Sequence, residues 1–114
     1  MSGHPANWLE VGLIETIPLR GARAVELEGA EPVAVFRTGD GRIFALIDRC
    51  PHEGGPLSKG IVHGAAVACP LHGWNIGLDT GEALGADRGC TPRIDTRVEN
   101  GRVFIDAAAV PLLA

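Results

Sequence analysis

Two short stretches constrain this chain more than anything else in it: Cys50-Pro51-His52 and Cys69-Pro70-Leu71-His72, with positions 53–68 between them. Each places one thiol and one imidazole within two or three residues, so the two side chains of a pair cannot act independently. Both pairs sit among residues that interrupt regular structure. Gly54, Gly55, Pro56 and Gly60 follow the first, and Gly73 follows the second. Proline lacks an N–H and fixes φ, while glycine readily adopts turn conformations, so neither pair reads as part of a strand or helix. The irregular stretch 48–60 is also too long for a plain turn, and loops of that length usually carry function. The fold has to be one that brings two such loops face to face.

The rest of the chain reads as all-β. Sixteen glycines and eight prolines among 114 residues, with no tyrosine, indicate many turns rather than long helices. Strand-like runs occur at 22–28, 33–37, 42–47, 61–63, 65–68, 74–78, 93–99 and 102–105, and eight to ten short antiparallel strands are expected. Thr38-Gly39-Asp40-Gly41 and Asn100-Gly101 mark hairpins, because these residues tolerate the positive φ of tight turns. Length and an apolar share of 46% fit one globular domain over 1–114, with the ligand-bearing part at about 48–92. The first six and last nine residues read as loosely held tails. A net charge of −4 without a run of Lys or Arg argues against nucleic acid or an anionic membrane as partner. The start, Met1 to Pro5, has neither a basic segment nor an apolar stretch, and no apolar run approaches the ~18 residues of a membrane span, so a cytoplasmic location is expected.

Three chemistries compete for the Cys-His pairs. The cysteines can be small buried hydrophobes and the histidines ordinary satisfied polar groups. Alternatively, the four side chains form a structural zinc site, although its usual order places two Cys first and two His later. The third possibility is a two-iron, two-sulfide cluster with two thiolates on one iron and two imidazoles on the other, which suits interleaved pairs because each loop then gives one ligand to each iron. Three cysteines cannot all pair with one another, and a reducing compartment disfavours disulfides.

Cys50-Pro51-His52-Glu53-Gly54-Gly55-Pro56-Leu57 and Cys69-Pro70-Leu71-His72-Gly73-Trp74 resemble the two cluster-binding loops of Rieske proteins. The likeness extends to 33–41, 55–64, 69–83 and 101–104, which are similar to the small subunit of bacterial assimilatory NAD(P)H-dependent nitrite reductase. This resemblance implies a Rieske-like antiparallel β-sandwich with a small cluster-binding subdomain formed by the two loops. It further implies a [2Fe–2S] cluster held by Cys50 and Cys69 on one iron and by His52 and His72 on the other. The implied role is electron transfer to a large catalytic subunit that reduces nitrite to ammonia. A free Rieske ferredoxin feeding an aromatic-ring dioxygenase, and a non-redox docking module with a structural metal site, are the alternatives. The isolated chain is expected to be an electron carrier without a catalytic site of its own. High-potential Rieske proteins bridge their loops with a disulfide, where Gly55 and Leu71 stand here, and place a serine where Trp74 stands. Fewer hydrogen bonds to the cluster imply a low, ferredoxin-like potential.

The other distinctive residues read more plainly. Cys90 is expected as a buried, inert thiol and His63 as a strand-edge residue. Arg49 and Arg88 are expected as solvated charges flanking the site, and Trp74 as core.

Overall fold

A computed structural model of the chain describes residues 7–51, 54–71, 73–85 and 89–112. Among these the regular elements are strands and three single-turn 3-10 helices, as the turn-rich sequence requires. The strands are β1 (Trp8–Leu13), β2 (Gly21–Val25), β3 (Val33–Arg37), β4 (Ile43–Ile47), β5 (Ile61–His63), β6 (Ala66–Ala68), β7 (Asn75–Gly77), β8 (Arg93–Ile94), β9 (Thr96–Glu99) and β10 (Arg102–Asp106). They form three sheets with orders β1-β10-β9, β2-β3-β4-β8 and β5-β6-β7, every pairing antiparallel.

The central strands explain the layering. Side chains alternate across a strand, yet Val33, Ala34, Val35 and Phe36 are all fully buried, so β3 is covered on both faces. Ala34 and Phe36, joined by Leu46 of β4, pack into a core with Val62, Val67 and Ile76 of the β5-β6-β7 sheet. Val33 and Val35, with Ala45 and Ile47, pack into a second core with Val103 and Ile105 of β10. The four-stranded sheet thus lies between the other two, and both Cys50 and Cys69 belong to the first core.

Turn chemistry holds the ends. In the β3–β4 hairpin the Gly41 N–H donates to the Thr38 carbonyl at 2.9 Å with Gly41 at φ +87°, and Arg42 Nε donates to both Asp40 oxygens at 3.2 and 3.0 Å. The Thr38 hydroxyl and the Arg42 guanidinium hold the Asp40 carboxyl below its ordinary value. Asn100 and Gly101, at φ 52° and 75°, make the two-residue β9–β10 turn that their types demand.

Three expectations change. β1 was not foreseen, because its pairing with β10 slips between Glu10 and Gly12, and a bulge there breaks the period of two that marks a strand. The run 93–99 is two strands in different sheets, the chain crossing from one to the other at Asp95. Up to residue 112 the C-terminal segment is not a loose tail. Asp106 and Val110 are buried, the Asn7 and Ala108 N–H groups both donate to Asp106 Oδ1 at 3.1 Å, and the Glu31 N–H donates to the Pro111 carbonyl at 2.9 Å. The first six residues lie outside the described residues.

Candidate metal centre

Both cysteine loops are built on the same closed turn. In the first, the Cys50 N–H donates to the Gly55 carbonyl at 2.8 Å and the Gly54 N–H returns to the Cys50 carbonyl at 2.9 Å. The second repeats it, with the Cys69 N–H donating to the Trp74 carbonyl at 2.7 Å and the Gly73 N–H to the Cys69 carbonyl at 2.9 Å. The shared pattern is Cys-Pro-x-x-Gly. Its last residue sits at φ +74° in Gly54 and +72° in Gly73, a region that disfavours residues with a Cβ, so glycine is needed there for its backbone. Both turns therefore fold locally from the sequence. Their amides are spent on closing the loops, as is that of Gly60, which donates to the Leu57 carbonyl at 2.9 Å. Those three glycines shape the loops rather than offering N–H groups to a bound sulfur.

The loops face each other closely. A Cβ placed on Gly55 would stand 2.8 Å from Cγ and Cδ1 of Leu71 and 3.5 Å from the Cys69 Sγ. Where the first loop leaves the site, a Cβ on Gly60 would stand 2.2 Å from the Ala68 carbonyl oxygen, so the backbones nearly touch there too. We expect Gly55→Ala to destabilise the fold by about 1–3 kcal/mol through overpacking, and Leu71→Ala in the same chain to recover most of that loss. Urea unfolding of the two single variants and the double variant measures it.

Cys50 is 1% and Cys69 4% exposed, both set among Leu57, Val62, Val67 and Ile76. Two thiols delivered by facing loops into an apolar pocket suit a soft metal centre, and the surrounding apolar side chains limit its access to water. His52 and His72, the other two expected ligands, lie outside the described residues, as do Glu53 and Arg88. A third stretch, around Ala83 and Gly89, also approaches the site. The Ala83 N–H donates to the Gly89 carbonyl at 2.9 Å, and a Cβ on Gly89 would stand 3.1 Å from the Pro51 Cβ.

Trp74 is half-buried and packs against the core that contains both thiols. Cys90 corrects the expectation of a buried thiol: it is exposed, bridged through its backbone to Glu82. His63 is exposed at the end of β5 and its Nε2 hydrogen-bonds Asn75 Oδ1 at 2.7 Å, a structural link between strands. Arg49 is not simply solvated, since it pairs with Glu31 at 2.9 Å and ties the first loop to the β2–β3 connection. Sequence reading missed one further pair, Asp48 with Ser58, whose bonds span the loop. A cavity of about 320 Å³ lined by Arg20, Asp40 and Arg42 lies at the opposite end of β4 from Cys50, remote from this chemistry.

The Rieske [2Fe–2S] domain pattern matches residues 7–95. The chain belongs to the Rieske [2Fe–2S] family. Its cofactor is a Rieske-type [2Fe–2S] cluster, which the paired cysteine turns fit, and its role is that of an electron-transfer component of an oxidoreductase system. Over 101 residues it is 33% identical to ferredoxin CarAc of Metapseudomonas resinovorans, an alignment covering 86% of this chain and 92% of that one. It is 34% identical over 102 residues to a 4beta-methylsterol monooxygenase of Methylococcus capsulatus, but spans only 27% of that protein. Among solved structures, a chain from the complex of reduced oxygenase and oxidized ferredoxin in carbazole 1,9a-dioxygenase superposes with a TM-score of 0.81 at 29% identity, covering 94% of this chain and 97% of that one. A Mycobacterium tuberculosis protein assigned as an NADH-dependent nitrite reductase small subunit has a TM-score of 0.82 at 24% identity, covering 97% and 100%. That last likeness speaks for the fold alone. Among the described residues no helix is long and apolar enough to cross a membrane.

Proposed function

We propose that the chain is a Rieske ferredoxin, one domain over 1–114 with its cluster-binding part at about 48–92, that carries single electrons to the oxygenase of a dioxygenase system. Cys50 and Cys69 hold one iron and His52 and His72 the other. The observation that carries this reading is the duplicated Cys-Pro-x-x-Gly turn, which sets two buried thiols in facing loops. Support for the ferredoxin role comes from ferredoxin CarAc, matched over nearly its whole length, and support for an oxygenase partner from the complex of oxygenase and ferredoxin, one chain of which shares this fold. When bound, the cluster supplies a centre that takes up and gives back one electron. Two ferric ions, two sulfides, two thiolates and two neutral imidazoles carry no formal charge, and one electron leaves a single negative charge.

The chain's own residues do the rest. Leu57, Val62 and Ile76 exclude water from the thiols, and Pro51 and Pro70 stiffen the turns. Among the described residues, Leu71 and Gly73 of the second loop are exposed beside the buried thiols, a surface that a partner can reach. A second reading, the small subunit of nitrite reductase, is favoured by the sequence segments at 33–41 and 69–83 and by the shared fold. In either case the cytoplasm is the proposed compartment. The test is metal and sulfide content after anaerobic purification, with an EPR spectrum of the reduced protein. We expect two irons and two acid-labile sulfides per chain. Bound zinc with no visible chromophore would instead mean the non-redox module with a structural metal.

A further inference from the structure

We infer that Asp48 and Ser58 form a clamp that positions the first cysteine loop and so sets how long the cluster is retained. The inference rests on the iron–sulfur reading above. Asp48 follows directly on β4, and its own N–H donates to the Pro32 carbonyl at 2.9 Å, which anchors it to the central sheet. Ten residues further on, the Ser58 N–H donates to Asp48 Oδ1 at 2.7 Å and the Ser58 hydroxyl donates to Oδ2 at 2.7 Å. Both carboxylate oxygens are thus committed to one residue, which fixes the plane of the carboxylate. Hydrogen bonds to a charged acceptor are the strong kind, and this pair is partly shielded from water.

The clamp differs from the other bonds of the loop in what it joins. The two bonds between Cys50 and Gly54 or Gly55 close a small turn inside the loop. Asp48 and Ser58 instead bracket the whole segment that carries Cys50 and His52, and Leu57, fully buried, pins the far end into the core. Loss of a cluster held between two loops begins with one loop swinging away, a local opening that need not unfold the sheets. For the first loop, that motion has to break the clamp. Partners that hold metal ligands in place commonly change metal affinity by ten- to a hundredfold.

The experiment follows iron release to a chelator, and the EPR spectrum of the reduced protein, in cluster-loaded wild type, Asp48→Ala, Asp48→Asn and Ser58→Ala. Asp48→Ala loses both bonds and is expected to release iron about tenfold faster or more, with a broadened EPR spectrum as the loop samples several positions. Ser58→Ala keeps the backbone bond and falls between Asp48→Ala and wild type, which keeps the test decisive should Asp48→Ala fail to fold. Asp48→Asn can accept from the Ser58 N–H and donate to its hydroxyl, so it restores both retention and the sharp spectrum. A contact serving only the fold would lower the thermal midpoint and leave the EPR spectrum unchanged. An unchanged spectrum in Asp48→Ala, or an Asn variant as leaky as the Ala one, overturns the clamp while leaving the iron–sulfur reading standing. A wild type without the iron–sulfur signal overturns both, and does so before any variant is compared.

Discussion

Cys69→Ala is expected to yield a colourless protein with no iron, no labile sulfide and no EPR signal, whereas Cys90→Ala stays indistinguishable from wild type. The two cysteines differ in placement. Cys69 is 4% exposed and faces the first loop across Gly55, while Cys90 is exposed on the third stretch. Replacing Cys69 leaves the turn itself intact, because the bonds to Trp74 and Gly73 use only backbone groups. What disappears is one thiolate, and an iron that it would hold could not complete its coordination with the ligands that remain. Metal-site free energy is partly folding free energy, so the thermal midpoint should fall further than the small cavity of one missing sulfur requires. The losses are measured by iron and sulfide assay together with calorimetry of the cluster-loaded proteins. Retention of the cluster in Cys69→Ala, or its loss in Cys90→Ala, would move the ligand assignment elsewhere.

The cysteine loops were legible in the sequence because their determinants are local. Cysteine, proline and a glycine four positions after the cysteine encode each turn, and the two turns resemble each other as written. The strands from Val33 to Ile47 and from Thr96 to Ile105 were legible for a related reason: Gly41 and the Asn100-Gly101 pair punctuate them at the turns. What could not be read was non-local. The strand Trp8–Leu13 depends on β10, almost a hundred residues away in sequence, and its bulge hides the alternation. Asp95 passes for an ordinary polar position of an alternating strand until the partners of Ile94 and Thr96 are known to belong to different sheets. The Asp48–Ser58 pair carries no recognisable spacing of its own, since its bonds exist only because the loop between them folds back. Burial of Cys50 and Cys69 together likewise follows from the stacking of the β5-β6-β7 sheet on the central one, which pattern alone does not specify.

Electron delivery separates the two partner readings, and its expected effect is all or none. The cavity lined by Arg20, Asp40 and Arg42 lies away from the thiols, and under the ferredoxin proposal the protein that receives the electron approaches the exposed residues of the second loop. Among the described residues of the second loop, Leu71, 51% exposed, and the neighbouring Gly73 are exposed. We expect the wild-type chain, added to the reductase and oxygenase of a ring-hydroxylating dioxygenase, to restore NADH-dependent product formation, and the Cys50→Ala/Cys69→Ala double variant to restore none. In parallel, the chain is added to a nitrite reductase large subunit lacking its small subunit, and NAD(P)H-dependent nitrite loss is followed. If only the wild type rescues the dioxygenase and neither form changes nitrite loss, the ferredoxin reading holds. Rescue of nitrite reduction by the wild type alone transfers the electron path to that enzyme. Equal rescue of nitrite reduction by both forms makes the chain a scaffold there, because the double variant retains the sheets but has lost the thiols through which the electron would pass.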